Sequence, residues 1–147
     1  MTGDHMLEHW RRLEHMFHGA AINRVPAPIL HVDDGYASVR LTLTPDMHHA
    51  GGAAHGAVIF KLLDDAAYFA AASQVREVFL VTVSFTTTFM RPATDGVLIA
   101  TGRVLHRSRN LCVAEASVHD PRGRLVATGS GTFQRSATAL DERVGYV

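Results

Sequence analysis

Residues 55–73 read HGAVIFKLLDDAAYFAAAS, and this stretch decides the fold. Its apolar side chains follow one another without the polar face that a surface helix carries, which is typical of a helix buried on all sides. Only Lys61, Asp64 and Asp65 interrupt the apolar run, and Tyr68 adds a hydroxyl. We therefore predict a central helix here, with the rest of the chain packed around it.

The segments around this helix have the alternating pattern and the β-branched and aromatic residues of strands. We predict strands over 29–32, 36–44, 78–90, 97–106, 111–119 and 125–134. Turn-forming residues separate them, and the short gaps between consecutive strands favour antiparallel meanders. Near the start of the chain, Met6, Trp10, Leu13 and Phe17 recur at helical spacing and predict an amphipathic helix over about 5–23.

One antiparallel sheet of five or six strands, wrapped around one buried helix, accommodates this order of elements. We predict an α+β hotdog fold in a single domain over 1–147, with an extra N-terminal helix and a core over about 28–135. The tail over 136–147 is expected to be loosely ordered. Such a sheet leaves two edges and one face uncovered, which favours self-association.

The composition excludes several classes of protein. Of 147 residues, 47% are hydrophobic and 19% charged, and 14 basic residues balance 14 acidic ones. This balance offers no basic surface for nucleic acid, and one cysteine cannot form an internal disulfide or a cysteine-rich zinc site. No apolar run is long enough to cross a membrane. We expect a soluble, cytoplasmic protein without nucleic-acid or membrane partners.

The residues before the central helix suit the binding of a carbonyl oxygen. The small-residue loop His48-His49-Ala50-Gly51-Gly52-Ala53-Ala54 leads directly into His55 and Gly56. A helix start presents unpaired N–H groups and the positive end of the helix dipole. A glycine there allows a ligand oxygen to approach the backbone closely, as an oxyanion hole requires.

Asp64 lies nine residues after His55, inside the apolar helix. Burial raises the pKa of a carboxyl group and makes the carboxylate a better general base or nucleophile. Nine residues are two and a half turns, so His55 and Gly56 point away from Asp64 and lie about 13 Å from it along the axis. If both ends act on one substrate, two subunits must share the site.

The pattern His55-Gly56-Ala57-x5-Leu63-Asp64 follows Gly51-Gly52 and precedes Phe89-Met90-Arg91-Pro92. Over about 41–134 it resembles hotdog-fold acyl-CoA thioesterases of the phenylacetate-pathway type, in the 4-hydroxybenzoyl-CoA thioesterase superfamily. The resemblance implies a homodimer or dimer of dimers that hydrolyses an acyl-CoA, with no cofactor or metal besides the coenzyme A of the substrate.

The resemblance also implies a role for each matching residue. Asp64 would be the nucleophile or general base, and the Gly56 N–H would polarise the thioester carbonyl. His55 would shape the loop or contact the thioester, and Thr82 would position water or the carboxylate. Substrate contacts would come from Arg91 and, at the phosphates of coenzyme A, from Arg107, Ser108 and Arg109.

Two positions depart from the family pattern. His49 stands where the family usually carries Asn, and Ala57 where it usually carries a second Gly. Both His and Asn donate hydrogen bonds, but His titrates near neutral pH. This departure keeps open a protein that binds an acyl-CoA or another apolar acid without hydrolysing it. A hydratase acting on enoyl thioesters is a weaker alternative, since no catalytic His–acid pair accompanies His55.

Other residues have simpler interpretations. Histidine pairs at 5 and 9 and at 15 and 18 have helical spacing, yet no carboxylate or cysteine completes a metal site with them; the group at 48, 49 and 55 is the best metal alternative. Asp65 is interpreted as structural. The hydroxyl row formed by Thr82, Ser84, Thr86 and Thr88 is expected on one face of its strand, exposed or at an interface.

Overall fold

A computed structural model describes residues 2–147 and places a six-stranded antiparallel sheet around one helix. This arrangement confirms the predicted α+β hotdog fold. The helices are α1 (Thr2–Gly19) and α2 (Gly56–Ala72), with short 3₁₀ helices at Ala21–Asn23, Pro45–Met47 and Glu142–Val144. The strands are β1 (Ile29–Asp33), β2 (Tyr36–Leu43), β3 (Val78–Phe89), β4 (Gly96–Arg107), β5 (Leu111–His119) and β6 (Leu125–Ala139). Their order across the sheet is β1-β2-β4-β5-β6-β3.

Helix α2 packs into the concave face of the sheet. Gly102 of β4 makes the closest approach, because a Cβ there would lie 2.2 Å from the carbonyl oxygen of Ala66. Every residue from Ala66 to Ala72 is buried. The prediction of burial on all sides is wrong for the first turns, where Ala57 and Phe60 are exposed. No helix within residues 2–147 is long and apolar enough to cross a membrane.

Strand β3 departs from the predicted meander. It precedes β4 in the chain but pairs with β6, at the far edge of the sheet. After β3, the N–H groups of Met90 and Arg91 both reach the carbonyl of Val126 on β6. The chain then crosses the end of the sheet, where the Ala93 carbonyl accepts from Ala54 N–H at 2.8 Å. This crossing places the β3–β4 connection directly against the small-residue loop.

A β-bulge in β3 corrects the expectation of a single hydroxyl row. The pairing with β6 shifts between Thr82 and Ser84. As a result, even-numbered side chains face α2 before the bulge and odd-numbered side chains face it afterwards. Before the bulge, Thr82 faces α2. After it, Phe85 packs against Phe60 of α2 at 5.5 Å between ring centroids, while Thr86 lies on the opposite, convex face of the sheet.

The terminal segments pack against each other. Helix α1 ends at Gly19, earlier than predicted. The prediction of a loosely ordered tail from 136 is wrong, since β6 continues to Ala139 and Ser136 Oγ donates to the Phe79 carbonyl. Further on, the Tyr146 hydroxyl lies 2.7 Å from His9 Nδ1.

His9 connects α1, α2 and this terminal segment. It is 2% exposed, and its Nε2 lies 2.9 Å from the carbonyl of Ala72. Burial lowers its pKa, so the ring is neutral at pH 7. Nε2 therefore donates to Ala72 and Nδ1 accepts from Tyr146. The histidine is a buried structural residue rather than part of an exposed pair with His5.

We predict that His9→Ala lowers the free energy of unfolding by about 1–3 kcal/mol, because it leaves the buried Ala72 carbonyl without a donor. Urea unfolding followed by circular dichroism measures this change. The matched control is His5→Ala on the exposed face of the same helix, which should change stability by less than about 0.5 kcal/mol. Equal effects of the two substitutions would contradict the assignment.

Candidate active site

The carboxylate of Asp64 projects from α2 toward β3. Thr82 Oγ1 donates to Asp64 Oδ1 at 3.0 Å. Burial raises the pKa of Asp64 above its usual value, and the Thr82 hydrogen bond and the Lys61 ammonium partly offset this rise. The helix therefore carries a carboxylate with increased basicity that one hydroxyl holds in a defined orientation.

This carboxylate lines a groove of about 630 Å³, which we call the Asp64 groove. Its walls come from α1, α2, the start of β3 and the C-terminal segment. They include Met16, Phe17, Tyr68, Phe79, Leu80 and Val144. The groove therefore offers a largely apolar surface beside the carboxylate.

The neighbouring carboxylate, Asp65, has a different partner. Lys61 Nζ lies 2.5 Å from Asp65 Oδ2, one helical turn away. Burial raises the pKa of Asp65 to about 6, against the opposing effect of Lys61. Asp65 is thus ion-paired at neutral pH, while the Asp64 carboxylate accepts a hydrogen bond only from Thr82 among the described side chains.

The loop before α2 is a small antiparallel ladder. The His55 N–H donates to the Met47 carbonyl at 2.9 Å, and the His49 N–H donates to the Ala53 carbonyl at 2.9 Å. Between these two hydrogen bonds, His48 pairs with Ala54 as an antiparallel β-bridge. Met47 lies opposite His55 in this ladder, and His49 is two residues after Met47. Alternate residues of one strand share a face, so His49 and His55 project from the same side. His48 points the other way, where its Nε2 donates to the Thr94 carbonyl at 2.7 Å.

The two imidazoles on the shared face have the same tautomer. His49 Nδ1 accepts from the Gly51 N–H and His55 Nδ1 accepts from the Ala57 N–H, each at 2.9 Å. In each neutral ring the proton is therefore on Nε2, which is a hydrogen-bond donor. A metal-binding imidazole needs one unprotonated nitrogen for the metal and usually donates through the other. The pair is thus suited to bind an oxygen acceptor rather than a metal.

Gly56 is the first residue of α2. Within the part of the chain that the structure describes, its N–H has no hydrogen-bond acceptor. A Cβ on Gly56 would lie 3.4 Å from the Phe89 ring at the end of β3. The helix start therefore presents a free N–H donor beside His55, against the far end of the strand that carries Thr82.

The structure thus separates the predicted site residues into two groups. His49, His55 and Gly56 lie at the start of α2, and Asp64 lies with Thr82 two and a half turns further on. The helical rise puts about 13 Å between His55 and Asp64. One subunit does not bring the two groups to one carbonyl carbon.

The predicted phosphate contacts lie in a third place, in the β4–β5 hairpin. Arg107, Ser108 and Arg109 line a recess of about 750 Å³ together with Asn110 and Arg135. Sequence reasoning missed Arg135, because the predicted strand stopped at 134. The Arg135 N–H donates to the Asn110 carbonyl at 3.3 Å, so β6 joins the hairpin here.

Arg91 is apart from this recess. It follows β3 and is exposed, in the connection that crosses the end of the sheet. The structure does not bring Arg91 together with Arg107, Ser108 and Arg109.

Comparison with known proteins decides the family. The model of the thioesterase superfamily matches residues 51–127, just over half of the chain. The chain belongs to the thioesterase superfamily. The matched region runs from Gly51 through α2 and Asp64 to β6, so it includes the site residues on the helix and on β3. This result confirms the predicted class of enzyme, the thioester hydrolases.

Individual proteins of known sequence or structure are also similar to this chain. Acyl-coenzyme A thioesterase PaaI of Escherichia coli is 28% identical over 128 residues, which cover 86% of this chain and 90% of that protein. The structure of E. coli PaaI, a protein of the phenylacetic acid degradation operon, matches with a TM-score of 0.83 and 26% identity over 91% of this chain and 97% of that one. Conserved protein PA5202 of Pseudomonas aeruginosa matches with a TM-score of 0.74 and 31% identity over 81% and 96%. The resemblance to phenylacetate-pathway hotdog thioesterases is confirmed.

We predict that Thr82→Val raises the pKa of Asp64 further, because it removes the hydrogen bond that favours the ionised carboxylate. A ¹³C NMR titration of the aspartate carboxyl groups measures the shift without an activity assay. Thr86→Val is the matched control, since Thr86 lies on the convex face. An unchanged Asp64 titration in Thr82→Val would show that the hydroxyl does not orient the carboxylate.

Proposed function

We propose that this protein is an acyl-CoA thioesterase whose active site joins the Gly56 N–H of one subunit to Asp64 of another. One observation carries the proposal: a half-buried carboxylate held by Thr82 lies on the same helix as the free N–H of Gly56, about 12 Å away along the helix axis. The similarity to E. coli acyl-coenzyme A thioesterase PaaI supports acyl-CoA as the class of substrate.

The chemistry follows from these groups. The Gly56 N–H and the helix dipole stabilise the negative charge that develops on the carbonyl oxygen during attack. Asp64 either takes a proton from the attacking water or attacks the carbonyl carbon itself. The C–S bond then breaks, coenzyme A leaves as a thiolate that takes up a proton, and water supplies the oxygen of the free acid. Nε2–H donors of His49 and His55 flank the carbonyl.

The edge strand β3 provides the geometry for two subunits. Thr82 near its start holds Asp64, and Phe89 at its end packs against Gly56. An antiparallel pairing of two β3 strands about a twofold axis places the end of each strand beside the start of the other. Gly56 then lies near Asp64 of the partner subunit, and the reverse contact completes a second site.

The exposed residues of β3 favour this pairing. Its outer edge has no neighbouring strand among the described residues, and Val83 and Phe89 are each 55% exposed. A long apolar edge strand is a template for pairing with another chain. A second copy of the molecule would cover it, and the resulting dimer, or a dimer of dimers, would act in the cytoplasm.

Coenzyme A would extend over the surface toward basic residues. Arginine side chains bind phosphate through paired N–H donors. We propose that Arg107, Ser108 and Arg109, with Arg135, contact its phosphates in the β4–β5 recess, and that Arg91 contacts the substrate separately.

A binding protein without hydrolysis is the second candidate. It is favoured by His49, which stands in place of the usual Asn and whose Nδ1 already accepts a hydrogen bond from the Gly51 N–H. Thermal stabilisation by acyl-CoA without release of thiol would identify this function.

We predict that Asp64→Asn lowers kcat/KM for acyl-CoA hydrolysis by about 10²–10⁴-fold while the fold is retained, since the amide is neither base nor nucleophile. Thiol release across a panel of acyl-CoAs measures it. Asp33→Asn is the matched control, because the Asp33 carboxylate bonds only the adjacent Asp34 N–H among the described residues. Full hydrolysis by Asp64→Asn would remove the proposed mechanism.

A further inference from the structure

Two cavities lie on opposite sides of one polar contact in the protomer. The Asp64 groove is on one side. On the other is an apolar cavity of about 290 Å³, which we call the helix-start cavity. Its apolar lining comes from the linker after α1, from β2, from the 3₁₀ helix that follows β2 and from the first turns of α2, and it includes Leu41, Met47, Ala57, Val58 and Leu62.

The helix-start cavity adjoins the proposed oxyanion donor. Ala57 and Val58 follow Gly56 directly, and the Met47 carbonyl holds the N–H of His55. A thioester carbonyl bound at Gly56 therefore has an apolar cavity beside it, on the same chain. The volume is near the lower limit for small-molecule sites, which suits a compact apolar group.

The polar contact between the cavities consists of Asn23, Lys61 and Asp65, which we call the partition. Lys61 Nζ lies 2.7 Å from Asn23 Oδ1 and 2.5 Å from Asp65 Oδ2. Its ammonium also lies 5.2 Å from the centre of the Phe17 ring. Asn23 lines both cavities, Lys61 the helix-start cavity and Asp65 the Asp64 groove.

The partition is firmly held. Asn23 is 5% exposed, and its Nδ2 donates to the Phe17 carbonyl at 2.8 Å. Both side chains of the Lys61–Asp65 ion pair are partly exposed, Lys61 by 29% and Asp65 by 19%. Because Lys61 bonds both Asn23 and Asp65, the three groups form one continuous polar wall.

We infer that the helix-start cavity binds the acyl group and that the Asn23–Lys61–Asp65 partition sets its maximum length. An acyl chain that extends past Leu62 meets the Lys61 ammonium and the Asn23 amide instead of apolar surface. Each further methylene would then have to displace a polar contact. This inference rests on the proposed function, because it assigns the acyl subsite of the same active site.

The test compares acyl-CoAs of increasing chain length by their kcat/KM values, measured as thiol release. For the wild type, kcat/KM should fall by about tenfold or more per methylene beyond a compact acyl group. Asn23→Ala opens the partition toward the Asp64 groove and should raise the ratio of long-chain to short-chain kcat/KM by about tenfold. Ala57→Leu fills the cavity from the opposite wall and should shift the preference toward shorter chains.

Partial unfolding of a variant lowers kcat/KM for every substrate by the same factor. The ratio of the kcat/KM values for two substrates on one variant is therefore independent of such losses. Arg107→Ala is the control for specificity, since coenzyme A is common to every substrate and the ratio should not change. A ratio unmoved by both Asn23→Ala and Ala57→Leu would overturn the inference while leaving the proposed function intact. Absence of thiol release by the wild type from every acyl-CoA would instead contradict the proposed function, and with it the inference.

Discussion

The hydrogen bond between Thr82 and Asp64 is the interaction on which the proposed site depends. It holds a half-buried carboxylate with a raised pKa on a helix that the sheet surrounds, where an unpaired charge would be costly. The β-bulge after Thr82 makes this contact compatible with packing, because it turns Thr82 toward α2 and then returns aromatic side chains to the same face. A single strand thereby provides both a polar contact for the carboxylate and an apolar wall for the first turns of the helix.

The same strand explains why the proposed site needs two chains. One end of β3 contacts Asp64 through Thr82 and the other contacts Gly56 through Phe89. A twofold axis near the middle of the strand would exchange these ends between subunits and build two equivalent sites. The α1 helix and the C-terminal segment are then free to shape the cavities beside them, and His9 ties both to the end of α2.

Much of the fold could be predicted from local sequence, because the apolar run over 55–73 and the alternating strands carry strong periodic signals. Pairing partners could not, since the position of β3 beside β6 depends on a crossing held by single backbone contacts such as Ala54 to Ala93. The bulge was also invisible, as one extra residue leaves the alternation of residue types unchanged. The contact of Asn23 with Lys61, and the position of Arg135 beside the β4–β5 hairpin, join residues far apart in the chain, which no local pattern reveals.

The most direct test of the shared site is complementation between two inactive subunits. Gly56→Pro removes the proposed N–H donor at a helix position that tolerates proline, and Gly56→Ala, which keeps the N–H, is its control. Each of Gly56→Pro and Asp64→Asn alone should form dimers of very low activity. Refolded together, they should regain thiol release, because each mixed dimer contains one site with an intact Gly56 and an intact Asp64 from different chains. Mixed dimers, verified by affinity tags, that remain as inactive as their parents would contradict the shared site.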